Sequence, residues 1–590
     1  MKKHRLLLCV VTALLAACGG DNNKMTHAEA QQNWHQPELY YSFPYKGQAN
    51  LSLNTPLVLR FADALTEDFD AEQIKLYCEE GVCEEVGQEL VNWSADEPNL
   101  IDDRRGVMLK PARELIANST YCVVLDEVPS GKGSVVDIAD FCFDTAIAAT
   151  KRGSLKELGV ADALTVVGMI PDLAQPDALP IMDFSTYRLR FNEPLDAQAI
   201  RYGEHVQLLE NGEEVKNVTL IANHNVMTVH PPKLLSPEKS YELVLNEVPA
   251  LYGSLGNDEK KTFSETYSFK VLDSEPRTIL IQDTVQASAA TEDPCAPSNE
   301  PLLSPLSDQP LNCVPLDSLV LGNKDSTMQS GDVFAELAYL PRYPDVSPLR
   351  VPRGSLLSGT NIKVKLAGSV PAATDGSMDT GEVSVSFLSD AVGYIFPNPY
   401  STDPKAPKQV RLFMDVAMTA EGAVPNAALS QNLLHVELNG MASLEGKSMR
   451  IDALGVVEPD VLGVEKAFGF LSFQMKSYEQ DEFAALFEEQ KQTIIDAPKV
   501  TTRFPYVEND GDEAPSFQPG DAITINFDKP LDPRTIRYGE TLFLAKDDVD
   551  LDADEVHWYM DGASVVVKHV GGFESEAEYQ VRLTEEITGL

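Results

Sequence analysis

Tyr187-Arg-Leu-Arg-Phe191-Asn-Glu-Pro194-Leu195-Asp196 is the stretch on which the fold turns. Apolar and charged residues alternate up to Phe191, the period of a strand with one buried face, and the Asn-Glu-Pro run then bends the chain. The pattern occurs three times. Pro56-Leu-Val-Leu-Arg-Phe61-Ala-Asp-Ala-Leu65-Thr66 comes before it, and Ala522-Ile-Thr-Ile-Asn-Phe527-Asp-Lys-Pro530-Leu531-Asp532 after it. The second and third copies continue almost identically, as Ile200-Arg-Tyr202-Gly-Glu204 and Ile536-Arg-Tyr538-Gly-Glu540. The first and third share an entry, Phe43-Pro-Tyr45 and Phe504-Pro-Tyr506. Landmarks that recur in the same order mark a repeated module.

A second landmark lies downstream in each copy. Leu115, Leu235 and Phe573 stand six residues before Tyr121, Tyr241 and Tyr579, and each Tyr opens an alternating strand. An ordinary half-buried strand Tyr explains one such case. Three at equal spacing predict tyrosine corners, in which the hydroxyl bonds back to the upstream backbone and pins the crossover between two sheets.

These residues resemble the SbsA-type family of bacterial Ig-like domains. The family's Pro-x-x-x-Leu turn is matched by Pro111-Ala-Arg-Glu-Leu115 and Pro231-Pro-Lys-Leu-Leu235, and its closing strand by Phe141-Cys-Phe143 and Tyr267-Ser-Phe269. The first copy departs at Ala62-Asp-Ala64, and the third has Gly571-Gly-Phe573 in place of the turn. The resemblance implies an all-β chain with Ig-like sandwiches over residues 37–148, 179–275 and 499–590. It is silent on function, since such domains serve as spacers and as binding modules. Only 11 residues follow Tyr579, whereas the closing strands of the first two copies lie 20 and 28 residues beyond their Tyr. The third sandwich is therefore expected to be truncated, its missing strand supplied by continuation of the natural chain or by another chain.

Residues 1–17 read as a signal peptide, with a basic start and a twelve-residue apolar run too short to span a bilayer. Leu15-Ala-Ala-Cys18 resembles the lipobox of bacterial lipoproteins. The resemblance implies cleavage before Cys18, lipidation of its thiol, a tether over residues 18–36 and, from Gly19, residence at the outer membrane. A plain secretory signal is the alternative. Cys9 leaves with the signal, and the six remaining cysteines fall into neighbouring pairs, Cys78/Cys83, Cys122/Cys142 and Cys295/Cys313. In an oxidising compartment three local disulfides are the natural reading. No Cys-x-x-Cys motif and no nearby His supports a metal site on them. Cys122 and Cys142 are expected on antiparallel neighbours.

Between the second and third copies, residues 276–350 are rich in Pro, Ser and Asp and read as a linker stapled by Cys295 and Cys313, as residues 149–178 read as a linker between the first two modules. Strand patterns over 351–478 predict an additional β-sandwich-like domain, and residues 479–498 a connector helix.

The net charge of -44 makes nucleic acid a poor partner. There is no Gly-x-Ser-x-Gly elbow, no His-Glu-x-x-His and no phosphate-binding Gly-rich loop. His224 and His230 are read as solvated or core-edge residues. Asp548, Asp550, Asp552 and Asp554 alternate acids at strand period, which suits calcium, yet the EF-hand template fails and an acidic inter-strand loop explains the run equally. No other cofactor is indicated. The leading reading is a non-enzymatic envelope lipoprotein, held to the membrane through Cys18, whose Ig-like modules space or present a surface to an unknown protein or glycan partner. The alternatives are the non-catalytic front of a larger secreted enzyme, or a carbohydrate-binding module over residues 346–478 with Tyr394, Phe396 and Tyr400 as its platform.

Overall fold

The structure is a computed structural model that describes residues 39–589 apart from 79–87, 93–104, 130–139, 148–162, 176–178, 254–259, 291–292, 319–324, 361–362, 365–377, 380, 402–405, 421–430, 446–447, 462–464, 479–496, 506–516, 518, 533, 562 and 576. The signal segment, Cys18, Cys83 and the expected connector helix lie outside the described residues. Within them the chain is all-β: three two-sheet sandwiches and one barrel.

The first sandwich comprises β1 (Leu39–Phe43), β2 (Leu57–Phe61), β3 (Ile74–Cys78), β4 (Gln88–Asn92), β5 (Gly106–Pro111), β6 (Thr120–Leu125) and β7 (Phe141–Asp144). Its sheets run β1-β2-β5-β4 and β3-β6-β7. The second comprises β8 (Val166–Ile170), β9 (Tyr187–Phe191), β10 (Val206–Glu210), β11 (Glu213–Glu214), β12 (Thr219–Asn223), β13 (Val226–His230), β14 (Tyr241–Gly253) and β15 (Lys260–Phe269). Its sheets are β12-β13-β9-β8 and β11-β10-β14-β15. Residues 166–170, read from sequence as linker, are thus the first strand of this domain.

All three tyrosine corners form. Tyr121 Oη accepts the Ile116 N–H at 2.9 Å, Tyr241 the Ser236 N–H at 2.8 Å and Tyr579 the Glu574 N–H at 3.2 Å. The Tyr-Gly-Glu landmark has a similar use: the hydroxyls of Tyr202 and Tyr538 donate to the carbonyls of Val215 and Leu551 at 2.6 and 2.9 Å. Cys122 faces Cys142 across β6 and β7, and the two are bridged.

The region between the second and third sandwiches differs from the sequence reading. The strands are β16 (Thr278–Thr284), β17 (Cys313–Leu316), β18 (Asp325–Ser330), β19 (Asp332–Leu337), β20 (Ser347–Val351), β21 (Leu356–Gly359), the short hairpin β22 (Lys363–Val364) and β23 (Met378–Asp379), β24 (Val383–Phe387), β25 (Ala391–Phe396), β26 (Lys408–Ala420), β27 (Gln431–Glu445), β28 (Ser448–Val457), the short pair β29 (Asp460–Val461) and β30 (Glu465–Lys466), and β31 (Gly469–Ser477). The order β26-β25-β20-β19-β16-β31-β28-β27, with β27 pairing back onto β26, closes an eight-stranded antiparallel barrel. Residues 276–350 therefore supply the wall strands β16, β19 and β20, and among the described residues of 351–478 the strands belong to the barrel in place of a separate β-sandwich.

Three wall strands are each built from two pieces. Residues 347–351 and 356–357 pair with 391–395 and 385–386 in one continuous register, so β20 and β21 form a single strand interrupted around Gly354. β18/β19 is interrupted at Gly331 and β24/β25 at residues 388–390. Such bulges let a long strand bend around a small barrel. The excursion between β16 and β17 is tied down by the Cys295–Cys313 disulfide.

The third sandwich comprises β32 (Val500–Phe504), β33 (Ile523–Phe527), β34 (Leu542–Lys546), β35 (Val549–Asp550), β36 (Val556–Asp561), β37 (Ser564–His569) and β38 (Tyr579–Leu583). Its sheets are β32-β33-β37-β36 and β35-β34-β38. Among the described residues nothing pairs with the outer edge of β38, where β6 and β14 carry β7 and β15. Val581 and Leu583 are accordingly half-buried, whereas Leu243 and Leu245 are buried; Val565 to Val567 remain covered.

The first two sandwiches back onto the barrel. In β9 the residues Tyr187, Leu189 and Phe191 fill the sandwich core, which leaves Arg188 and Arg190 on the opposite face. That face lies against the barrel, so Arg188 is 1% exposed. In the first sandwich Tyr40, Tyr41, Phe43, Val58 and Met108 pack on Met441, Leu454 and Phe470.

Candidate functional site: the barrel interior

β26 presents Leu412, Met414, Val416 and Met418 inward, alternating with Phe413, Asp415 and Ala417 outward, as period two requires. β31 adds Leu471, Phe473 and Met475, and β24 adds Val383, Val385 and Phe387. On β27 both Leu433 and Val436 point inward. A register shift opposite Met414 and Val416, with His435 at φ 56°, inserts the extra residue that allows it. Gly455 faces the same interior, and a Cβ there would come within 2.6 Å of Leu438 Cδ2, so glycine makes room for that leucine.

These side chains enclose a cavity of about 100 Å³ at the end of the barrel formed by β17, β18, β21 and β24. It is about a third smaller than the dry cavity of about 150 Å³ that takes up benzene in an engineered core. Asn312, Thr327, Gln329 and Ser472 are the polar residues of the wall; among the described residues no charged side chain lines it. Three methionines, Met414, Met418 and Met475, give the wall a deformable surface suited to an apolar guest of variable shape. The other end of the barrel is filled by Leu337, Leu349, Val410, Ala442 and Ile451.

The wall is not uniformly satisfied. Gln329 Nε2 donates to Thr327 Oγ1 at 3.2 Å and to Val383 O at 3.3 Å, and its Oε1 has no partner among the described residues. Gln282, fully buried on β16, has no partner at either amide atom among the described residues and lies outside the cavity lining.

Behind the cavity, the outward side of β26 carries a buried polar cluster that joins barrel and second sandwich. Arg188 donates from Nε to Asp415 Oδ2 at 3.0 Å and from Nη2 to Ser389 Oγ and Asp390 O, both at 3.0 Å. Asp415 also accepts from Thr228 Oγ1 at 3.1 Å, the His435 N–H at 2.9 Å and Ser389 Oγ at 2.6 Å. Burial pushes the Asp415 carboxyl up, but Arg188, His435 and the Ser389 hydroxyl outweigh it and hold it at about 2. Burial lowers both His435 and His230 to about 4, against the opposing pull of Asp415 and Asp390.

The sequence-derived sites fare differently. Asp547 and Asp548, at φ 49° and 64°, form the two-residue turn between β34 and β35, where the second sandwich has Asn211-Gly212 at φ 52° and 85°. The acids of this run take separate roles: Asp550 pairs with Arg582 and Asp547 accepts the Glu578 N–H, while Asp548 sits in the turn and Asp552 and Asp554 are exposed beyond it. Among the described residues no group of three or more His, Cys, Asp or Glu converges on a common point. Tyr394, Phe396 and Tyr400 form no exposed platform. Tyr394 is fully buried against Met182 and Phe184 of the second sandwich, and Tyr400 bonds Ser42 of the first at 2.6 Å. Cys78 ends β3. Sequence reasoning missed the cavity. Its signal was present in the alternation from Val410 to Met418, without an indication that the sheet closes.

No protein-family model matches the chain. Alkane uptake protein B of Marinobacter nauticus (strain ATCC 49840 / DSM 8798 / CIP 103578 / SP17) is 31% identical over 98% of this chain. The chain spans about half the length of that curated relative, 54% of it. Two solved structures of the S-layer protein SbsC, rSbsC(31-844) and domains 1-6, each align over 72% of this chain and 62% of their own, at 9% identity and a TM-score of 0.14.

Proposed function

We propose that this chain is a non-enzymatic cell-envelope protein that binds a linear hydrocarbon chain inside its barrel, the Ig-like sandwiches serving to brace and present that barrel. The observation that carries the reading is the apolar, methionine-rich cavity at one end of a closed eight-stranded wall. An eight-stranded barrel is just wide enough to hold one small ligand, and a cavity of about 100 Å³ takes a longer chain as its methionine side chains give way. Likeness to a protein named for alkane uptake supports the same substrate class. In this reading Cys18 anchors the chain to the membrane by lipidation, and the barrel meets hydrocarbon close to the bilayer.

Binding of decane, followed by displacement of an apolar fluorescent probe, tests the proposal. Wild type is expected to exchange the probe for decane, and Met414→Trp, which fills the cavity, to lose at least tenfold in affinity. Val416→Phe is a second filling variant should the first fail to fold. Unchanged binding in a folded filling variant would place the ligand elsewhere and contradict the proposal.

A further inference from the structure

At the cavity end of the barrel β17 stands in for β16. β16 ends at Thr284, and after its excursion the chain returns as β17, paired to β18 from Cys313–Met328 to Leu316–Asp325. Toward β31 it forms no ladder. Among the described residues the two backbones join there at the Asp317–Phe468 bridge, through bonds of 2.8 and 3.0 Å, and the Asn312 N–H donates to Ser472 O at 2.7 Å. The other seams of the wall each hold at least two consecutive pairs. Two residues from the bridge the antiparallel register sets Pro315 opposite Phe470, both with their backbone groups turned to the seam. Proline has no N–H, so this pair cannot carry the ladder on. One end of the seam is clamped: the Asn312 side chain donates to Val285 O at 2.6 Å and Gln474 O at 2.9 Å and accepts the Gln474 N–H at 2.9 Å. Beside it Cys313 is bridged to Cys295. Between clamp and bridge, Val314 and Leu316 of β17 and Leu471 of β31 line the cavity, while Val314 and Pro315 are only half-buried. A Cβ at Gly469 would lie 3.1 Å from Pro315 O and 3.3 Å from Val314 Cγ1, so the strands meet in van der Waals contact.

From this we infer that hydrocarbon enters and leaves the cavity sideways, between β17 and β31, the seam parting at Asp317–Phe468 and hinging at the Asn312 clamp. The inference rests on the hydrocarbon-binding reading and names the route to that site. An enclosed cavity exchanges its guest only when the wall parts. Parting a ladder leaves a row of backbone donors and acceptors unmade, each at a cost, whereas this seam gives up the two bonds of one bridge. The side chains on either side of it, Val314, Leu316 and Leu471, are apolar, so a hydrocarbon passing between them meets no polar barrier. β17 stays paired to β18 throughout, and the staple at Cys313 holds its clamped end in place.

Stopped-flow fluorescence tests the route, with decane chasing bound N-phenyl-1-naphthylamine and the probe chasing bound decane. Pro315→Val supplies the missing N–H opposite Phe470 O. It is expected to slow association and release of decane alike, by about fivefold, the worth of one hydrogen bond, and to leave Kd unchanged. Asp317→Pro removes the N–H that donates to Phe468 O and should speed both rates by a similar factor. Neither side chain lines the cavity. A gate therefore moves the two rates together, whereas a disturbed cavity alters their ratio. Should one variant not fold, the other decides alone. Unchanged rates in a folded variant, or a changed Kd, overturn the inference and leave the hydrocarbon reading standing; failure of decane to bind wild type overturns both.

Discussion

Tyr241 shows what single residues contribute to the sandwiches. Its buried hydroxyl satisfies the Ser236 N–H at 2.8 Å, so Tyr241→Phe strands a donor and is expected to destabilise the second domain by about 1–2 kcal/mol in chemical denaturation. Tyr579 makes a longer bond, 3.2 Å, at a more exposed site, and Tyr579→Phe should cost less than half as much. These tyrosines were legible because the corner is a local motif with fixed spacing. Gln329 was not, since its partners Thr327 and Val383 converge only once the barrel has closed. His435 carries a pH prediction. Its folded pKa is lowered to about 4 from an ordinary value of about 6.5, so the unfolded chain takes up the proton first as pH falls. The stability it contributes is complete above about pH 6.5 and is lost progressively down to about pH 4, at roughly 1.4 kcal/mol per pH unit. His435→Asn tolerates the left-handed backbone and does not titrate. Urea unfolding between pH 7 and 4 should therefore show a shallower acid loss in this variant, and an unchanged slope would contradict the assignment.

At the level of elements, the sandwiches were readable and the barrel was not. Three of the eight wall strands are split by bulges at Gly331, around Gly354 and at residues 388–390, so each half reads as a short isolated strand. The first three of these wall strands also begin in Pro- and Ser-rich sequence that resembles a linker. Register across such interruptions is a property of the closed sheet, which no local pattern encodes. The β34–β35 hairpin shows the reverse, an element whose acids invite a metal reading until the turn is seen. Its two central residues have positive φ, so Asp547→Asn/Asp548→Gly is expected to stabilise the third domain by about 0.5 kcal/mol or more. Melting temperatures should be the same in calcium and in chelator. A calcium-dependent rise that disappears in Asp550→Asn/Asp552→Asn would restore the metal reading.

The whole molecule is organised around the barrel, with two Ig-like domains laid against its outer face. The buried Arg188–Asp415 pair fixes one of them, and a pair so deep contributes register more than net stability. Arg188→Met leaves Asp415 buried without its cation and is expected to cost about 3–5 kcal/mol. The double variant Arg188→Met/Asp415→Leu should recover most of that, and a double variant no more stable than the single would contradict the account. No part of this interface was visible beforehand, because Arg188 reads as the solvent side of an amphipathic strand until the barrel covers it. The central claim, that the barrel interior holds an apolar chain, is tested most directly by methyl NMR of the full chain labelled at methionine and titrated with ¹³C-decane. The account predicts chemical-shift changes and contacts to decane at Met414, Met418 and Met475, which face the cavity, and none at Met182 or Met227 in the second sandwich. Contacts confined to methionines outside the barrel, or no contacts at all, would contradict it.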